Sequence, residues 1–172
     1  MAVQVAACHP NVSWWCPQLP PSPQAAMALI DAGTANWPVA TMAVIGSSLG
    51  GFYAAVVANK RLGCKTVLLN PAVDPARDLT AYIGQQSSWQ SPGEHFFFEA
   101  RFIDELRALD AGPLNRPQDM LAIIAKGDEV LDWREMAGRY VNAQLLLLEG
   151  GDHALSDFPG HLPRIFDFLA LA

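Results

Sequence analysis

The sequence predicts an α/β fold: a mostly parallel sheet covered by helices on both faces. Two observations predict it. Short runs rich in Val, Ile and Leu recur along the chain without polar alternation, as strands do when both sheet faces are covered. Amphipathic or capped helical stretches fall between these runs, and strands alternating with helices make a doubly wound parallel sheet. The length, 172 residues, suits a single domain spanning 1–172, large enough to bury a core of its own.

The elements follow in order. Met1–Cys8 is too short for periodicity to separate a strand from the tail of a helix. Ser13–Cys16 is an apolar run and a predicted strand, and Pro17–Pro23, with four prolines, is a loop. Ser22 is a predicted N-cap for a helix over Gln24–Ala32. Thr41–Ile45 is a predicted strand, and Gly51–Leu62 a helix closed by Gly63. Thr66–Leu69 is the next predicted strand. Met120–Ala125 and Gln144–Leu148 are strands, and Trp133–Tyr140 and Pro163–Leu171 are helices. Between residues 74 and 117 the alternation breaks, and aromatics cluster there: Tyr82, Trp89, Phe96, Phe97, Phe98 and Phe102. This stretch is read as a helical lid or cap insertion whose aromatics line an apolar pocket, Trp89, Phe96 and Phe97 above all. The plain alternative is a helical pair packed on the sheet.

Composition narrows the class. Hydrophobic residues make up 51% and charged residues 16% of the chain, which excludes a disordered protein. A net charge of −6 and a pI near 5.0, with no basic cluster, argue against nucleic acid or anionic membranes as partners. Cys8, Cys16 and Cys64 are an odd number without metal-like spacing, so a reducing compartment is expected and no disulfide framework. No apolar run approaches the ~20 residues of a membrane span, and no signal peptide is read at the N-terminus. The expected location is the cytoplasm.

The chemistry-bearing signal is Gly46-Ser47-Ser48-Leu49-Gly50, a G-x-S-x-G pattern between a predicted strand and a predicted helix. In that context a tight turn exposes the serine at the end of the strand, and the two glycines let neighbouring backbone approach. The helix N-terminus behind it favours an oxyanion, and the Leu49 N–H is one donor to it. A serine hydroxyl needs a base, and the base an orienting carboxylate. Around such a turn the order along the chain is serine, acid, histidine. Asp128 follows the strand Met120–Ala125 and Gly127. His153 follows the strand Gln144–Leu148 and two glycines. Both therefore lie on loops at the sheet edge that carries Ser48, where open parallel sheets place their sites. Glu129, Asp132 and Asp152 compete with Asp128 for the acid, Asp132 foremost. His9, His95 and His161 compete less well with His153, because none follows a predicted strand.

Taken together, Gly46–Ala54, Asn70-Pro71-Ala72, Gly93-Glu94, Gly127–Asp132, Gly151-Asp152-His153 and Cys16–Pro20 resemble the YqiA-like esterases of the α/β-hydrolase superfamily over nearly the whole chain. The resemblance implies a serine esterase for simple acyl esters or thioesters, without metal or organic cofactor. It also implies Ser48, Asp128 and His153 as nucleophile, acid and base. One departure is notable. Related chains begin with a short strand running into a His-Gly type loop that offers a second oxyanion N–H, and no His-Gly occurs here. Met1–His9 resembles the helix after that loop. The sheet is therefore expected to lack its first, oxyanion-loop strand, and an exposed edge would favour a homodimer. Three readings stay open: a start further upstream, a strand formed by Met1–Cys8, or a folded domain of weak activity. The alternative function is accordingly a hydrolase-like domain that binds a ligand or partner without efficient catalysis.

Overall fold

The computed structural model describes residues 5, 7, 9–87, 93, 95–109 and 112–171. Four parallel strands form the main sheet: β1 (Ala43–Ser47), β2 (Lys65–Leu69), β5 (Met120–Ala125) and β6 (Gln144–Leu148), side by side in the order β1-β2-β5-β6. The register aligns Ser47 with Leu69, Leu69 with Ile123, and Ala125 with Leu148, so the C-terminal strand ends share one edge. A separate antiparallel pair, β3 (Gly84–Ser87) and β4 (His95–Phe98), lies between β2 and β5 in the chain.

Helices cover both faces, because alternate residues of the inner strands point opposite ways. Leu68, Ala122 and Ile124 pack with Ala54 and Ala58 of helix α2 (Leu49–Lys60) and with Met136 of helix α5 (Trp133–Arg139). Val67, Leu69, Leu121, Ile123 and Ala125 pack on the other face with Ile165 of helix α6 (Leu162–Leu169). A third cluster joins α2 to helix α1 (Pro23–Gly33) and helix α4 (Arg101–Ala108). Ser22 caps α1 as predicted, accepting from the Ala25 N–H at 3.2 Å, and its hydroxyl also donates to Glu105 of α4 at 2.6 Å.

Three expectations are corrected. Ser13–Cys16 is not a strand: residues 13–20 carry no regular structure. A strand needs a ladder, and among the described residues no backbone pairs with this run. Instead Trp15 packs its ring against the bare face of Gly33, where a Cβ would overlap it. The segment 74–117 is not purely helical. Among the described residues it comprises helix α3 (Pro75–Asp78), a 3-10 turn over Leu79–Tyr82, the antiparallel pair β3–β4 and α4. Phe98 and Phe102 meet edge to face at 5.4 Å and fasten the pair to α4. Strand β1 starts two residues later than predicted, because Val39–Thr41 closes a 3-10 turn first.

Among the described residues β1 and β6 are the outer strands of the main sheet, and no helix is long and apolar enough to cross a membrane. A cavity of about 780 Å³ runs beside β1, lined by Trp14, Trp15, Trp37, Val44, Tyr53 and Ile165 among others.

Candidate active site

The turn after β1 is built by close backbone approach. A Cβ on Gly46 would overlap the carbonyl of Gly50, so only glycine lets the strand and the first turn of α2 close this tightly. Ser48, at the corner, has φ 54 and ψ −122, a conformation that costs a non-glycine residue about 1–3 kcal/mol. Hydrogen bonds hold it there. The Ser48 N–H donates to the Leu69 carbonyl at 3.0 Å, and the Ser48 carbonyl accepts from Gly51 at 2.9 Å and from Ala72 at 3.0 Å. Leu49 opens α2, so its N–H lies among the first-turn donors that no helical carbonyl can reach.

Two further loops converge on this corner. The loop after β5 carries Asp128 and the loop after β6 carries His153. They touch at Gly127, where a Cβ would overlap the carbonyl of Gly151. His153 Nε2 lies 2.9 Å from Ser48 Oγ, and His153 Nδ1 lies 2.8 Å from Asp128 Oδ2. A carboxylate only accepts, so Nδ1 carries the proton and Nε2 is left to accept from the Ser48 hydroxyl. The Asp128 side chain is fully buried, whereas that of His153 is 20% exposed. The other Asp128 oxygen accepts the N–H groups of Val130 and Leu131, each at 2.8 Å, which locks the carboxylate in place.

The rival acids are occupied elsewhere. Asp132 caps α5 through the Arg134 N–H at 2.9 Å. Asp152 accepts from Ser156, and those bonds hold its carboxyl below the usual range. Glu129 accepts the backbone N–H of His153 at 3.0 Å, a supporting role not foreseen from its place beside Asp128. Among the histidines, His9 meets Phe166 edge to face, His95 faces Ser87 and His161 faces Asp157. Phe96 is half-buried and flanks the same apolar cluster as Leu49; Phe97 is 61% exposed. Trp89 lies outside the described residues. None of Ser48, Asp128 and His153 lines the 780 Å³ cavity. Among the described residues no group of three or more His, Cys, Asp or Glu is arranged to hold a metal ion.

Such an arrangement can pass a proton from a serine hydroxyl to an imidazole whose tautomer is fixed from behind. Comparison with known proteins agrees with the fold. The model of the uncharacterised protein family UPF0227, the YqiA family, matches residues 1–170. Similar solved structures include a protein from Agrobacterium vitis S4, at 21% identity and TM-score 0.64, with 86% of this chain and 69% of that one covered. Mouse alpha/beta hydrolase domain-containing protein 10 follows at 16% identity and TM-score 0.66, with 87% and 70% covered. The esterase domain of a Rhodothermus marinus protein is similar at 22% identity and TM-score 0.55, with 84% and 66% covered. The chain thus spans about two thirds of the length of these structures, whose fold is the α/β-hydrolase fold.

Proposed function

This chain belongs to the UPF0227 (YqiA) family of the α/β-hydrolase superfamily, and from that premise we propose that it is a serine hydrolase cleaving simple carboxylic esters or acyl thioesters. The observation that carries the reading is the continuous hydrogen-bonded path from Ser48 Oγ through His153 to Asp128. Ser48 Oγ attacks the acyl carbonyl carbon while its proton passes to His153 Nε2. Asp128 stabilises the imidazolium without taking the proton. The Leu49 N–H, at the positive end of α2, donates to the oxyanion. As the carbonyl re-forms, the alkoxide or thiolate leaves with the proton from His153. Water then attacks the acyl-serine, gives its proton to His153, and the acid departs as Ser48 regains its hydrogen. No metal or organic cofactor enters this cycle. Phe96, beside the Leu49 cluster, shapes the apolar acyl side in this reading. The substrate is a small molecule, and the setting is the cytoplasm, where the exposed Cys16 stays reduced.

Labelling with a fluorophosphonate, which bonds covalently only to an activated serine, tests the proposal. Native protein is expected to label and to hydrolyse p-nitrophenyl acetate. Ser48→Ala and His153→Ala should lose both while keeping the native circular dichroism. Labelling followed across pH probes the base, since only neutral imidazole accepts the serine proton. Hydrolysis by Ser48→Ala equal to that of the native chain would sink the reading.

A second reading has one observation in its favour: β1 is an outer strand among the described residues. If the Leu49 N–H alone serves the oxyanion, turnover should fall by about 10²–10³ relative to a two-donor site. The protein would then act mainly as a binding domain, still labelled slowly at Ser48.

A further inference from the structure

Asn70 is a buried polar residue that no step above uses. It is wholly buried, with its backbone in the left-handed region at φ 40, and directly follows β2. It therefore stands at the same sheet edge as Ser48, Asp128 and His153. Burying an amide costs free energy unless its hydrogen bonds are made. Here they are made to the two loops that matter. Nδ2 donates to the carbonyls of Asp152 and His153, both at 3.0 Å. Oδ1 accepts the N–H of Ala125, the last residue of β5, at 2.8 Å. Its own N–H donates to Ile123, and two residues on the Ala72 N–H holds the Ser48 carbonyl. One short segment thus ties together the carriers of nucleophile, acid and base.

The consequence for His153 is specific. Its N–H is held by Glu129 and its carbonyl by Asn70, so both ends of its backbone are pinned. Only the side-chain torsions remain free, and Asp128 fixes those. We infer that Asn70 is a positioning residue for His153, setting the imidazole between Ser48 and Asp128. The inference rests on the hydrolase reading above and deepens it. An apolar residue could fill the same space, but none could donate to two carbonyls of one loop.

The test uses Asn70→Asp, Asn70→Ala and Asn70→Ser in the full chain, with rates divided by the number of sites that label to exhaustion. Asn70→Asp keeps the shape and the acceptor but turns lone pairs toward the two carbonyls. Asn70→Asp and Asn70→Ala should lose about 10²-fold in kcat per site with KM within about threefold, as small misplacements of a reacting group do. The pH midpoint of labelling should also move. Asn70→Ser, which keeps one donor, should fall between them and the native chain, and decides the question if the other two do not fold. Met120→Ala, buried at the far end of β5, is the control: less stable, but unchanged in kcat per site and in pH midpoint. Asn70 variants that lose only stability, like the control, would overturn the inference. Failure of the native protein to label or hydrolyse would instead overturn the hydrolase reading, before any Asn70 variant is compared.

Discussion

The inner and outer strands of the main sheet differ in what they hold. β5 is buried at all six positions and β2 at its last four, whereas β1 is buried only at Gly46 and β6 at none. Yet the proposed nucleophile and base, Ser48 and His153, follow the outer strands β1 and β6, while Asp128 and Asn70 follow the inner ones. The outer loops are secured by hydrogen bonds back to the centre: Ser48 to Leu69, the His153 loop to Asn70, and Leu148 to Lys126. Access and rigidity are thus divided. In the proposed reaction, the groups that meet the substrate lie where the sheet is open, and the groups that hold them lie where packing leaves no freedom.

The strongest way to break this division is at the inner acid. Asp128→Asn keeps an oxygen for the Val130 and Leu131 N–H groups but sets an N–H donor against His153 Nδ1. The imidazole must then take the wrong tautomer, and kcat should fall by about 10⁴-fold with the fold intact. Activity within tenfold of native would mean that Asp128 does not govern His153. Next in size is Gly46→Ala, which asks whether the proposed nucleophile depends on close backbone contact rather than burial. Its methyl group would meet the Gly50 carbonyl, so labelling of Ser48 should slow by about 10²-fold, as displacement of a reacting atom does. A native labelling rate would show the turn to be more yielding than its packing implies. The smallest effect concerns stability alone. Ile123→Ala in β5 should cost about 2–5 kcal/mol in urea unfolding. Ile45→Ala in half-exposed β1 should cost less than about 2 kcal/mol. Equal costs would erase the distinction between inner and outer strands.

How far the site could be read in advance depended on how local each signal is. The turn at Ser48 was legible because its constraint is steric and short-range: glycines two residues to either side, after an apolar run. The placement of Asp128 and His153 on strand-end loops was legible because each follows an apolar run and a glycine. The choice of Asp128 over Asp132 rested on position alone until the cap of α5 accounted for Asp132. Asn70 entered only through a resemblance, since nothing in an Asn-Pro pair shows that its amide will meet a loop more than 80 residues away. Ser13–Cys16 looked like a strand because Trp14, Trp15 and Cys16 make a short apolar run, and aromatic residues suit a strand. A strand, however, exists only with a hydrogen-bonded neighbour, and no local pattern can supply that. The β3–β4 pair was missed for the converse reason: Gly84-Gln85-Gln86-Ser87 has little strand propensity, and pairing with His95–Phe98 makes it one.

What the sequence by itself determined is the set of short-range features: the apolar runs that become β1, β2, β5 and β6, the Ser22 cap of α1, the Gly46–Gly50 turn, and the places of Asp128 and His153 after two of those runs. These depend on backbone sterics and hydrophobic period within a few residues. Only the tertiary structure decided which carboxylate faces the imidazole, that Glu129 and Asn70 pin His153 from both sides, and which extended runs find a partner. Those outcomes depend on hydrogen bonds between segments distant in the chain, whose geometry exists only once the sheet has brought its strand ends to one edge.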